Sequence, residues 1–452
     1  MAHGDLSRVP WYRHQCSVRA DSGLSLGGYV PAAECLLDPA QAGSSRDDHG
    51  GAAVAGYILL DRRNPPRVTA CCLLQLAMAA WVTLSILWAE MPEQAWSKWD
   101  WAFKVILFSA FIPFSIRSRV HIEAFAQVYV IALAANFVPF GLKTILGGGG
   151  YGTNLGLVSG NSGLAEGGLL STACLMAVPL ALFLGRHTQL LPRYTPITLG
   201  YLAVALLAVA TAVGTYERSA LVGLLALGAT MFVRSRHKLR LGLFILVTAA
   251  FVAVLVSDAW LDRISTISTY QRDHSALTRL LIWQWTFTYA IHHPFGGGFM
   301  SYLINHVALP DGTVQFARAF HSIYFEMLGE QGWPGLLMFL LLSVITWIGL
   351  GRVSRRTRHR PHLVWCADLA TALQSALAVF LTAGAFVGIA FQPMYWYMIA
   401  LSISLCEYVR RVEWAERLAQ PQSRWPQRAM SPAAVAGPPA QLPPWRAPRP
   451  NA

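Results

Sequence analysis

The sequence is short of charge. Asp, Glu, Lys and Arg make up only 13% of its 452 residues, against about 25% in an average soluble domain. That deficit excludes an ordinary water-soluble globular chain. Cysteine is also uninformative: the seven include no CxxC pair and none lies in the longest polar segment. Cys71, Cys72, Cys174, Cys366 and Cys406 fall in apolar runs, and Cys16 and Cys35 in the N-terminal stretch. Neither a disulfide framework nor a zinc site is indicated. The start of the chain carries no cleavable signal-peptide pattern. Metal-ligand spacing is missing too. Asp262, Asp273 and His274 have no distinctive arrangement, and the adjacent His292 and His293 point apart on a helix. No metal and no cofactor are expected.

What is present is apolar. Hydrophobic residues make up 54% of the chain and mean hydropathy is +0.42. They gather into runs near the ~20 residues that cross a bilayer. Ten such runs are predicted, at 68–89, 101–116, 122–142, 169–184, 196–213, 219–233, 241–256, 334–350, 363–386 and 394–409. The piece GAAVAGYILL, before the first run, is too short to span.

The formal net charge is +12. In a soluble protein that would suggest nucleic acid. Here the basic residues cluster in short loops before the first run and after the second, fourth, sixth, eighth and tenth, as the positive-inside rule expects. Nucleic-acid binding is therefore not expected. The pattern predicts an all-α polytopic membrane protein of about ten transmembrane helices, both termini cytoplasmic. The divisions are a poorly readable cytoplasmic tail at 1–67, seven spans at 68–256, a large outer loop at 257–333, three spans at 334–409 and a disordered cytoplasmic tail at 410–452. In a Gram-negative cell the outer face is the periplasm. ATP is absent there, which disfavours a phosphate-loop reading of the glycine-rich stretch at 146–168, whose only charge is Glu166.

The outer face gathers the chemistry. Arg218 ends the turn Gly214-Thr215-Tyr216-Glu217-Arg218. It reads either as an interfacial arginine on lipid phosphate or Glu217, or as a pyrophosphate clamp, since guanidinium stays charged and binds phosphate bidentately. Arg279 sits on a helix predicted at 276–291, with Leu280, Trp283, Phe287 and Ala290 on one face, lying along the membrane surface. Pro294 and Gly296 to Gly298 end that helix, more plausibly as a stop and hinge than as a phosphate cradle. His321 shares a helical face with Tyr324, Phe325 and Leu328 and suits a general base. Glu326 and Glu330, four apart, read as a solvated face or a paired acid and base. Residues 90–100, EMPEQAWSKWD, read as a short loop with interfacial tryptophans. Lys104 beyond it is placed to snorkel.

Three runs carry a family resemblance: GTYERSALVGLLAL, STYQRDHSALTRLLIWQWTFTYAIHHPFGGGF and HSIYFEMLGEQGWPGLLMFLLL. Together they resemble the O-antigen ligase/polymerase superfamily, over roughly 81–408. The most specific part is His321-Ser322 followed by Gly332. With the tract WSKWDWAFK, the likeness is nearest to the O-glycosylation ligases associated with the exosortase A system. The resemblance implies a metal-independent, inverting glycosyltransferase of the bacterial inner membrane, with its active face in the periplasm. It implies an undecaprenyl-pyrophosphate-linked glycan as donor and a lipid A core or protein acceptor. It carries the pyrophosphate-binding arginines onto Arg218 and Arg279 and the base onto His321, with Arg272 and Arg318 as companions. Such proteins typically have about twelve spans, and residues 1–67 lack the expected opening pair, as in a truncated chain. A Wzy-type polysaccharide polymerase is the alternative within the superfamily. A transporter or flippase is the alternative outside it, disfavoured by the few mid-span charges and the lack of a repeat.

Overall fold

The computed structural model describes residues 67–147, 166–192, 194–234, 274–309 and 312–419, with 238–239, 242–243 and 246. Arg272, most of the run at 241–256, most of the glycine-rich stretch and most of both tails lie outside the described residues. Residues up to Val409 form one compact unit, and residues 410–452 are grouped as a second.

The protein is an all-α, multi-pass membrane protein. Among the described residues the main α-helices are α1 Ala70–Leu84, α2 Pro92–Ser115, α3 Arg119–Gly147, α4 Gly167–His187, α5 Thr195–Gly214, α6 Arg218–Arg234, α7 His274–His292, α8 Ile323–Thr357, α9 Val364–Ala383 and α10 Pro393–Ala419. Among the described residues, six helical segments are long and apolar enough to cross a membrane: Ala70–Trp88, Arg119–Leu146, Gly167–His187, Thr195–Gly214, Ile323–Thr357 and Pro361–Phe386. The predicted runs at 101–116, 219–233 and 394–409 are also helical, within α2, α6 and α10. Helix α6 has 17 residues, which is at the short end of the range for a span.

Helix α4 is the axis of the bundle, buried along nearly its whole length. It packs against α3, α5, α6 and α9. Its small residues allow that: a Cβ on Gly168 would stand 2.9 Å from a methyl of Val387. Tyr395, Trp396 and Tyr397 of α10 are buried, and Tyr395 stacks on Phe380 of α9.

Three expectations change. Residues 90–100 are not a loop, because α2 begins at Pro92, and proline is favoured in a first helical turn, where its missing N–H costs nothing. Helix α10 continues to Ala419, so the tail does not become irregular at 410. In α7 the buried line is Ile282, Thr286 and Ala290, whereas Leu280, Phe287 and Ile291 are exposed. Of the set expected on one face along the membrane surface, Leu280 and Phe287 are turned outward as that reading needs, and Ala290 is turned inward. A short hairpin, β1 His306–Ala308 with β2 Val314–Phe316, follows α7, pairing Val307 with Gln315.

Candidate functional site

Helix α8 is bent where it matters. Gly332 has φ 66° and ψ −167°, so the segment from Ile323 to Gln331 leaves the line of the rest. The reason is a close crossing of two backbones. A Cβ on Gly332 would overlap Pro294 and Phe295, and one on Gly296 would stand 2.5 Å from the Gly332 nitrogen. Backbone bonds tie the crossing: Trp333 N–H donates to Pro294 O and Gly297 N–H to Gly329 O. Gly296 and Gly298 have φ 76° and 74°, a region open to glycine at no steric cost. The triple glycine is therefore a packing joint between the end of α7 and the bend of α8. This agrees with the stop reading over the cradle.

The segment ahead of the bend is held on several sides. Phe320 packs over Gly329, where a Cβ would clash with its ring. Phe320 also joins Ile282 and Val307 in a small core. Trp283 of α7 donates from Nε1 to Phe320 O at 2.8 Å and stacks on Phe325. Tyr324 donates its hydroxyl proton to Leu381 O. His321 sits in this frame just before the α8 N-cap Ser322. Its φ is 48°, a left-handed conformation that costs a non-glycine residue about 1–3 kcal/mol and persists only where neighbours impose it.

The His321 side chain is 36% exposed, and Nδ1 lies 3.9 Å from Glu166 Oε1, at the start of α4. Partial burial, then the charges of Arg279 and Arg318, hold its pKa below the ordinary histidine value. Burial and the neighbouring Glu217 push the Glu166 carboxyl up, while Arg279 opposes them. The surroundings thus favour the uncharged imidazole, the form able to accept a proton.

The charges of Arg279 and Arg318 both act on His321, and that of Arg279 also on Glu166. Arg218 opens α6 immediately after Glu217, which acts on the same Glu166. Arg318 is exposed and tethered, its backbone N–H donating to Asn305 Oδ1 and its Nε to Gln315.

Glu326 and Glu330 are not a solvated face. Their residues are 7% and 0% exposed. Lys98 of α2 donates to Glu326 Oε1 at 2.7 Å and to both oxygens of Glu330 at 2.9 and 2.8 Å. Glu326 also accepts from the Ala390 N–H, and Glu330 from that of Met300. Phe299 and Phe391 cover the ammonium group. Beside this cluster opens a cavity of about 390 Å³, lined among others by Trp101, Tyr302, Phe320 and Gln392. Lys98 and Glu166 were missed as site residues. Lys98 had one signal, a lone lysine between two tryptophans, and Glu166 another, the only charge in 146–168. Lys104, by contrast, pairs with Asp100 one turn earlier at the surface.

Among the described residues, no group of three or more His, Cys, Asp or Glu is arranged to hold a metal ion.

Two family models match the chain. Residues 203–340 match the O-antigen ligase family, and residues 49–189 a family of unknown function, DUF5935. No curated protein sequence matches. The first match supports the O-antigen ligase superfamily, and with it an enzyme acting on glycans, with a lipid-linked glycan and an acceptor in the membrane. It contains Arg218, Arg279, Arg318, His321, Glu326 and Glu330. Lys98 and Glu166 lie in the second match, so both charge groups join the two matched segments.

Proposed function

We propose that this protein is a glycan ligase of the bacterial inner membrane. It moves a glycan from undecaprenyl pyrophosphate to an acceptor hydroxyl at the periplasmic face, on a lipid A core or on a protein. The observation that carries the reading is His321: partly exposed, with burial and the charges of Arg279 and Arg318 lowering its pKa.

The donor reaches the site laterally from the outer leaflet. Arg218 and Arg279 hold its pyrophosphate and offset the charge that grows on the leaving group, the kind of preorganised stabilisation that works best away from bulk water. Arg318 adds to the same field; Arg272, its companion by family resemblance, lies outside the described residues. His321 takes the proton of the acceptor hydroxyl. The hydroxyl oxygen bonds to the anomeric carbon as the bond from that carbon to the phosphate oxygen breaks, releasing undecaprenyl pyrophosphate. A single displacement inverts the anomeric configuration. Charge neutralisation comes from the arginines, and the reaction is proposed to need no metal.

The test is transfer by purified protein from a defined undecaprenyl-pyrophosphate oligosaccharide, with and without EDTA. Loss of a general base typically costs about 10² to 10⁴-fold in rate, so His321→Ala is expected to lose at least 100-fold at unchanged protein level, and EDTA to change nothing. Transfer by His321→Ala at the parental rate would remove the histidine from the mechanism. Offering lipid A core, a protein and a second lipid-linked glycan as acceptors separates ligation from polymerisation.

A further inference from the structure

The cavity beside Lys98 differs in chemistry from the arginine-rich surroundings of His321. Its charged wall is one ammonium against two carboxylates, all three inside a closed set of hydrogen bonds. No surplus positive charge remains there for a phosphate. The ammonium can donate three hydrogen bonds, and its three contacts all go to glutamate oxygens. Glu326 keeps acceptor capacity: a carboxylate has about four lone-pair sites, and Lys98 and the Ala390 N–H are the two donors bonded to it. Gln94 and Ser97 add an amide and a hydroxyl to the lining, and Trp101, Tyr302 and Phe391 add aromatic rings. At about 390 Å³ the cavity falls within the roughly 300–1,000 Å³ of small-molecule pockets. Phe320 lines it, and His321 is the next residue; Gly388, also in the lining, lies against the His321 backbone.

We infer that this cavity is a sugar subsite that selects by charge. Resting on the ligase reading above, it seats one pyranose unit, uncharged or carrying an amine, and rejects acidic sugars. Hydroxyls of the ring donate to Glu326 and exchange hydrogen bonds with the amide side chain of Gln94, while the apolar C–H face lies on the aromatic wall. An acidic sugar would place its carboxylate against that of Glu326, and like charges at that range in a partly desolvated site repel strongly. The pyrophosphate stays with the arginines.

The test uses the full chain in lipid nanodiscs, with binding followed by calorimetry. The probes are N-acetylglucosamine, glucosamine, glucuronic acid and inorganic pyrophosphate. The two non-acidic sugars are expected to bind saturably, and glucuronic acid at least tenfold more weakly. Ala319 lines the cavity from an exposed position, so Ala319→Trp fills it without disturbing the core. That variant should weaken both non-acidic sugars at least tenfold and leave pyrophosphate binding unchanged, which also reports that it is folded. The proposal is overturned if glucuronic acid binds as well as N-acetylglucosamine, if no sugar binds, or if Ala319→Trp leaves sugar binding intact. The ligase reading fails by a different result: pyrophosphate binding that is insensitive to Arg279→Ala.

Discussion

Two groups of charges meet the first turns of α8, and the fold treats them in opposite ways. Around Lys98 every charge is buried and hydrogen-bonded: one ammonium lies between Glu326 and Glu330, which also accept from two backbone N–H groups. Around His321 burial, and then the charges of Arg279 and Arg318, disfavour the protonated ring, with Glu166 3.9 Å away as the acidic neighbour. A buried, hydrogen-bonded cluster ties elements together while lining a cavity with acceptors. A partly open histidine in the field of two arginines suits a ligand that brings its own negative charge. The contrast is between a carboxylate-rich wall and a cationic one in a chain that has little charge of either sign.

The comparison can be broken most severely at Lys98. Removing one member of a buried ion pair typically costs about 3–5 kcal/mol, because the remaining charge is stranded. Lys98→Met should lower the thermal unfolding midpoint by many degrees, and Lys98→Met combined with Glu330→Gln should recover part of the loss. If the single variant unfolds like the parent, the cluster is not a structural clamp.

A middle-sized effect is expected on the other side. Arg279→Ala removes a like charge near His321, so the histidine pKa rises. A base works only when deprotonated, so rate is lost as pH falls through its pKa. In the parent that acid limb lies below the ordinary histidine value near 6.5. In Arg279→Ala it should move to higher pH, whatever the loss in absolute rate. Arg318→Ala should move it the same way and by less, being the weaker influence. An acid limb unmoved by either change would separate the arginines from the histidine. The smallest effect sharpens the contrast by its absence. Lys104 and Asp100 form an exposed pair four residues apart, and such pairs contribute about 0.3–0.5 kcal/mol. Lys104→Ala should leave the unfolding midpoint nearly unchanged, against the large drop for Lys98→Met only two turns away.

The sequence was legible where one element explains itself. The stop after α7 followed from Pro294 and the glycines, and the helix start beside His321 from the spacing of Tyr324, Phe325 and Leu328. Reading failed where two elements had to be known together. Glu326 and Glu330 look the same in sequence whether they face water or a lysine. Residues 90–100 looked like a loop because Glu90, Glu93 and Asp100 dilute the apolar pattern, although Pro92 suits a helix start. Ala290 was grouped with Leu280 and Phe287 on the outer face of α7 although it is turned inward, because alanine carries little apolar signal for either side.

By itself the sequence determined that this is a bundle of membrane helices. Lipid solvation is a property of each run, set by its own length and apolarity, and loop charge is likewise local. Only the tertiary structure decided that Lys98 reaches carboxylates 228 and 232 residues away. It also decided that Glu166 faces His321, and that Gly296 and Gly332 let two backbones cross. Those contacts depend on the angle and direction at which helices pack, and no periodicity within one helix records the position of another.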